Sequence, residues 1–351
     1  MNAFQRASGI ALLAVLASAC AEESVTDVSG AKELQNFAPS FLVAGASVDI
    51  QFEPLEAPPA YVVGKIHLQD DWSSAGPYDH FVVNNAAAVP PYSYPTFGTQ
   101  SLRISNAVTS GSFGDQTFSK RTANHAGETT SDCSIYCQIT STTQRHFEVE
   151  WDFASTVPTA EQPGLAVTGS PDRGDGARMS FVRLRDTPSG LAVDFVDVQG
   201  VNRVPPACGQ ANFEEATAVA SGLNRAVPHT IRLTMDLLEG PSNDIVKVYV
   251  DGSLRHTGTS WEDYYRYDCE AAAHLGRPPA VNRILYRTSS VPSAPATLGH
   301  GFVFDNLSLG TANSAAAKDD CKNGGWRSMT RADGSPFKNQ GDCIQYTNKG
   351  K

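Results

Sequence analysis

Phe147-Glu148-Val149-Glu150-Trp151-Asp152-Phe153 alternates large apolar side chains with carboxylates over seven residues. A period of two puts the rings and Val149 on one face and the acids on the other, the signature of a strand half in a core and half in water. Ile231, Leu233, Met235 and Leu237 repeat the pattern, as do Val246, Val248 and Val250. Asp251-Gly252 follows directly, and both residues tolerate positive φ, so a hairpin turn is expected before Ser253 to Thr257. From residue 64 to residue 310 the chain reads as short strand after short strand, with no long amphipathic helix. A stretch of that length can bury one large core, which predicts an all-β, antiparallel two-sheet sandwich as a single domain.

The flanks read differently. Residues 1–20 carry Arg6, an apolar run from Ile10 to Ala17, and a small-residue stretch ending on Cys20. That order predicts a secretory signal peptide, because the apolar run is too short to span a bilayer. Leu16-Ala17-Ser18-Ala19-Cys20 resembles a bacterial lipobox, which implies acylation of Cys20, although Ala17 stands where leucine is commonest. Ordinary cleavage after Ala19 or Ala21 is the alternative. Residues 21–63, with Pro54, Pro58 and Pro59, read as a spacer holding at most one strand around Phe41 to Phe52. Residues 311–317 are a small-residue linker, and 318–351 a separate small module that needs a cross-link to hold a core.

A net charge of -10 argues against nucleic acid and anionic membrane surfaces as partners, leaving the membrane to be reached only through an N-terminal lipid. Of seven cysteines, six remain once Cys20 is set aside, an even number suited to disulfides outside the cytosol. Locality favours Cys321-Cys343, Cys133-Cys137 and Cys208-Cys269, with other connectivities open. Zinc is the rival, but no close CxxC pair or HxxxH partner supports it.

His229-Thr230-Ile231-Arg232-Leu233 running to Asp236, Lys247 to Gly252, and Gly301 to Leu309 resemble strands of the concanavalin A-like and laminin-G-like jelly-roll superfamily. The resemblance implies the jelly-roll fold over about two-thirds of the chain. Its members include lectins, adhesion modules, hydrolases and lyases, so it implies no single activity. Ser101 to Ala107, Ser110 to Asp115 and Ser170 to Gly176 are similar to a set of uncharacterised exported bacterial sandwich proteins. Cys321-Lys322-Asn323-Gly324-Gly325-Trp326 with Phe337 to Cys343 resembles a short C-terminal module of exported bacterial proteins.

Four groups are candidates for chemistry. Glu148, Glu150 and Asp152 share one strand face, as the paired carboxylates of retaining glycosidases do, but the same pattern describes a solvated face. Trp261, Tyr264, Tyr265 and Tyr267 crowd one loop among charged residues, and flat rings stack on the C–H faces of sugars. Tyr78, His80, Tyr92 and Tyr94 are candidates for the same surface. Asp70, Asp71 and Asp305, at the first and last strands of the body, offer oxygen ligands for a structural calcium. Arg173-Gly174-Asp175 matches an integrin-read tripeptide, but every residue there also suits a plain turn. Arg145-His146 is an isolated basic pair of the surface type, and no HExxH, GxSxG, Walker loop or GxGxxG is present.

The expectation is therefore an exported, surface-anchored, non-catalytic binding or adhesion protein with a glycan or polysaccharide as partner. The alternative is a polysaccharide-degrading hydrolase or lyase on the same fold. The sequence leaves the oligomeric state open.

Overall fold

The computed structural model describes residues 47–351 apart from 56–59, 89–90, 92–93, 113, 128–142, 173–179, 199–212, 239–242, 262–279, 289–291, 313–317, 319–320, 328, 332–334 and 350–351; of 143, 197–198, 213–218 and 349 it describes the backbone alone. The chain divides into two units, Met1–Ala38 and Pro39–Lys351. The first lies outside the described residues.

In chain order the strands are β1 (Ser47–Ile50), β2 (Gly64–Lys65), β3 (Ser73–Ala75), β4 (Asp79–Asn84), β5 (Gln100–Ser105), β6 (Gln116–Phe118), β7 (His125–Gly127), β8 (Thr143–Gln144) and β9 (His146–Ser155). They continue as β10 (Ala166–Asp172), β11 (Phe181–Thr187), β12 (Gly190–Val198), β13 (Phe213–Leu223), β14 (His229–Asp236), β15 (Ile245–Val250), β16 (Ser253–Gly258), β17 (Ala280–Val281), β18 (Arg283–Arg287) and β19 (Phe302–Ala312). One sheet has nine strands in the order β16-β15-β14-β9-β19-β5-β4-β2, with β1 also paired to β19; a second has seven, β13-β12-β11-β10-β18-β6-β3. A small third sheet joins β17, β7 and β8. All pairings in the two large sheets are antiparallel.

The alternation works as the sequence predicts. Phe147, Val149, Trp151 and Phe153 turn inward from the nine-stranded sheet and meet Val167, Val182, Leu184, Phe195, Ile284 and Tyr286 from the seven-stranded one in a single core. Trp151 meets Tyr286 edge-on, ring centroids 6.3 Å apart, and Tyr286 meets Phe304 at 4.9 Å. Gly169 makes room for that stack, since a Cβ there would lie 3.2 Å from the Trp151 ring. Asp251 and Gly252 take the expected positive φ, 51° and 73°. The chain is thus an antiparallel two-sheet jelly-roll sandwich. The sheet reaches back to Ser47, inside the stretch read as spacer, because β1 pairs with the far half of β19, from Leu307 to Gly310.

The tail has a small core of its own. The Cys321-Cys343 disulfide, Cα atoms 5.7 Å apart, lies at its centre with Phe337, flanked by Trp326, Met329, Ile344 and Tyr346. Its second half is α1 (Gln340–Lys349), a helix absent from the sequence reading because its polar sequence carries no clear apolar stripe.

Candidate functional site

The site is built from strand register. In the seven-stranded sheet Thr168 of β10 stands opposite Arg183 of β11 and, on its other side, opposite Arg287 of β18. Arg183 is in turn opposite Asp194 of β12, and Arg287 opposite Gln116 of β6. Directly opposed residues share a face, so Asp194, Arg183, Thr168, Arg287 and Gln116 form one row across five strands. Their neighbours along four of these strands (Val182, Leu184, Val193, Phe195, Val167 and Tyr286) all point into the core. The row therefore lies on the outer face.

Rows on either side extend it. Ala166 stands opposite Arg185, and Asp172 opposite Arg283. Arginines thus stand on both neighbours of β10, while β10 itself contributes only short side chains: Ala166, Thr168, Ser170 and Asp172. Arg185 donates to Asp194 through Nε and Nη2 at 2.5 and 3.0 Å, and Arg287 Nη2 donates to Gln116 Oε1 at 3.1 Å. Arg283 lies over the Phe118 ring at 5.3 Å and Arg183 over Phe181 at 5.9 Å.

Sheet faces turned away from a core are ordinarily wet. Here Thr168, Ser170, Asp172, Asp194, Gln116, Arg283 and Arg287 are all buried, while Arg183 and Arg185 are half-buried. Buried polar side chains are the informative exception on a protein surface, and charged hydrogen bonds are strongest where water is excluded.

The predicted carboxylates lie on the outer face of the other sheet, each tied to a neighbouring strand. Glu148 is 3.5 Å from Arg232 and 3.3 Å from His146. Asp152 accepts from Thr230 Oγ1 at 2.5 Å and from Asn306 Nδ2 at 2.8 Å. Burial raises the Glu150 carboxyl, Arg232 opposes that rise, and Glu148 and Asp152 add to it. Burial would lower His146, but Asp236 at 2.8 Å and Glu148 prevail and push it up to about 10. The two acids beside it thus favour the protonated form of His146.

Trp261 belongs to the edge of the seven-stranded face. It is buried against Phe181, ring centroids 5.6 Å apart, and its Nε1 donates to the Val196 carbonyl at 3.3 Å. Its ring faces protein, so it walls the site and offers no open stacking surface. Tyr94 is also buried, edge-on to Phe97, its hydroxyl donating to the Ser155 carbonyl. Tyr78 contacts the His67 ring, and His80 is fully buried beside Thr117 Oγ1 at 2.6 Å, where burial lowers it to about 3. These tyrosines and His80 lie outside the arginine rows. Tyr92, Tyr264, Tyr265, Tyr267, Arg173-Gly174-Asp175, Cys20, Cys133, Cys137, Cys208 and Cys269 lie outside the described residues.

The three aspartates named for calcium lie in separate surroundings. Lys120 Nζ engages both Asp70 oxygens at 3.0 and 3.1 Å, and Arg121 engages Asp71. Asp305 sits in the last strand, accepting from Gly98 N and Ser101 Oγ, with its carboxyl raised to about 8 chiefly by burial. Among the described residues no three His, Cys, Asp or Glu side chains gather as a metal requires. Asp70 and Asp71 are thus each engaged by a cation.

The arginine face was missed by sequence reading. Phe181-Val182-Arg183-Leu184-Arg185 and Arg283-Ile284-Leu285-Tyr286-Arg287 do carry the signal, cations at even spacing along apolar strands.

No family model and no curated protein matches the chain. Solved structures show loose likeness. The Emp47p carbohydrate recognition domain is 12% identical with a TM-score of 0.34, over 76% of this chain and 94% of that one. The β-agarase A of Zobellia galactanivorans is 11% identical with a TM-score of 0.38, over 80% and 98%. A family 7 alginate lyase is 10% identical with a TM-score of 0.33, over 69% and 93%. The strand pairing and the common core define the jelly-roll sandwich.

Proposed function

We propose that this chain is an exported, non-catalytic binding protein that takes a carbohydrate on the outer face of its seven-stranded sheet. The observation that carries the reading is the row Asp194, Arg183, Thr168, Arg287 and Gln116. Donors, acceptors and hydroxyls alternate across five strands on a rigid sheet, and Arg183 with its neighbour Arg185 is the part of it open to a ligand. Polyhydroxylated ligands need such an array, because each of their hydroxyls both donates and accepts. Glu148 and Asp152, on the other sheet, are bound to neighbouring strands, which favours binding over catalysis.

The test is retention of the full chain on a panel of immobilised polysaccharides. Retention on at least one, lost in Arg183→Gln with the melting temperature unchanged, supports the proposal. A folded protein retained by none would end it. Export and acylation belong to the same proposal and rest on the Met1 to Cys20 pattern; palmitate labelling that survives Cys20→Ala would refute the anchor.

One observation favours the polysaccharide-degrading alternative: Glu150 is half-buried with a raised carboxyl, as a general acid requires. Release of reducing ends or unsaturated sugars, abolished by Glu150→Gln, would establish it.

A further inference from the structure

Eight large apolar side chains are exposed among the described residues, and four of them, Leu55, Val62, Val63 and Leu68, lie within fourteen residues of chain. Leu55 is 95% exposed, Leu68 75%, Val62 60% and Val63 59%. Apolar residues scattered singly over a surface need no explanation, but a group of them marks a contact. Local bonds hold this group together. Tyr61 N donates to the Glu53 carbonyl at 3.3 Å, and its ring meets Phe52 edge-on, which closes the loop carrying Leu55. Val62 N donates to Gln69 Oε1 at 2.8 Å, and Gln69 Nε2 to the Lys65 carbonyl at 3.2 Å, which keeps Leu68 near the two valines. Val62, Val63 and Leu68 flank β2, the outermost strand of the nine-stranded sheet. Among the described residues along this edge the charges balance. Asp70 holds Lys120, Asp71 holds Arg121, and Glu53, accepting from Gln100 N, is offset by exposed Lys65.

We infer that this edge rests on a lipid bilayer, its aliphatic side chains dipping into the headgroup boundary. The inference depends on the anchored reading above and deepens it, because it gives the tethered body one defined orientation. Three observations select lipid over another occupant. The chain enters the sandwich at β1, and Leu55 follows Ile50 by five residues, so the patch belongs to the part of the body nearest in sequence to Cys20. Residues 21–46 span at most about 90 Å when fully extended. A patch on so short a tether meets the membrane at high effective concentration, where a weak contact suffices. Aliphatic side chains beside balanced charges suit acyl chains beneath zwitterionic headgroups, within a chain of net charge -10. Finally, β2 is two residues long, too short an edge to pair with a strand of a second copy.

The test uses the acylated chain, with all its segments, on phosphatidylcholine vesicles whose acyl chains carry bromine, a quencher of tryptophan. Leu68→Trp puts a reporter on the patch. Leu254→Trp puts one on β16, exposed at the opposite edge of the same sheet, seven strand spacings or roughly 30 Å away. Both variants should melt as the unsubstituted chain does. The emission that Leu68→Trp adds should shift to the blue on vesicles and fall at least twofold with brominated lipid, while that of Leu254→Trp stays unchanged. A palmitate-labelled chain in which neither reporter is quenched, or both are quenched alike, would overturn the contact and leave the anchor standing. Quenching of Leu254→Trp alone would overturn it in favour of the other edge. A blue shift of Leu68→Trp without vesicles, rising with protein concentration, would overturn it in favour of a second copy. A chain that takes up no palmitate would overturn the anchor and this inference with it.

Discussion

Arg185 clasps Asp194 with two hydrogen bonds, at 2.5 and 3.0 Å, from β11 to β12 across the outer face of the seven-stranded sheet. Asp194 is 1% exposed, whereas 40% of the Arg185 side chain is open to solvent. The two ends of the pair therefore differ in what their loss costs. Arg185→Gln removes two charged hydrogen bonds from a buried carboxylate and is expected to destabilise the fold by about 1–3 kcal/mol. Adding Asp194→Asn should recover most of that. Urea unfolding of the two single variants and the double one measures the coupling; additive effects would refute the pair's role. Arg183→Gln leaves Asp194 paired, which is why it serves as the binding probe.

His146 gives the sandwich a pH signature. Its folded value of about 10 lies above the ordinary 6.5, so the folded state holds the proton more tightly than the unfolded chain. Its contribution is fully present below about 6.5 and declines as pH rises through about 10. Unfolding free energy should fall over that window, and His146→Gln should flatten the slope while lowering stability at pH 6. NMR titration of the imidazole checks the origin directly: a midpoint near 6.5 in the folded protein would refute it.

How much of this was legible in the sequence depends on how local the signal is. The inward faces of β9, β14 and β15 follow from residues two apart, and the Asp251-Gly252 turn from two adjacent residues. The arginine face has no such local signature. Alternation places Arg183 with Arg185 and Arg283 with Arg287, but only the pairing of β11 and β18 to opposite edges of β10 brings the pairs together across some 100 residues of chain. β10 itself, Ala166-Val167-Thr168-Gly169-Ser170-Pro171-Asp172, contains a glycine and a proline and reads poorly as a central strand. The Trp261 cluster was legible as composition, but composition does not tell a ring that faces a ligand from one that closes a core edge.

Trp261 decides between those two roles. Buried against Phe181 and bonded to the Val196 carbonyl, it should behave as packing. Trp261→Ala is expected to cost about 3–5 kcal/mol, and Trp261→Phe less, since the latter keeps the ring contact and loses the hydrogen bond. A Trp261→Phe protein with lowered melting temperature and unchanged polysaccharide affinity fits this role. Unchanged stability with lost affinity would return the ring to the ligand.

The Cys321-Cys343 disulfide is expected to govern the tail alone. The cluster it centres has Phe337 as its one buried ring, with Trp326, Met329, Ile344 and Tyr346 only partly covered, so the apolar area available is small. Closing a loop of sequence separation 22 removes unfolded-state freedom worth roughly 3 kcal/mol, comparable to everything that cluster can supply. Arg331, bonded to Asp342 at 2.6 Å and lying over the Phe337 ring at 4.9 Å, adds contacts that exist only when the loop is closed. Cys321→Ser should therefore unfold residues 318–351 and expose them to protease, while the main melting transition of the sandwich stays in place. A protected tail in that variant would show that α1 and its neighbours hold together without the cross-link, and a lowered main transition would show that the tail also supports the sandwich.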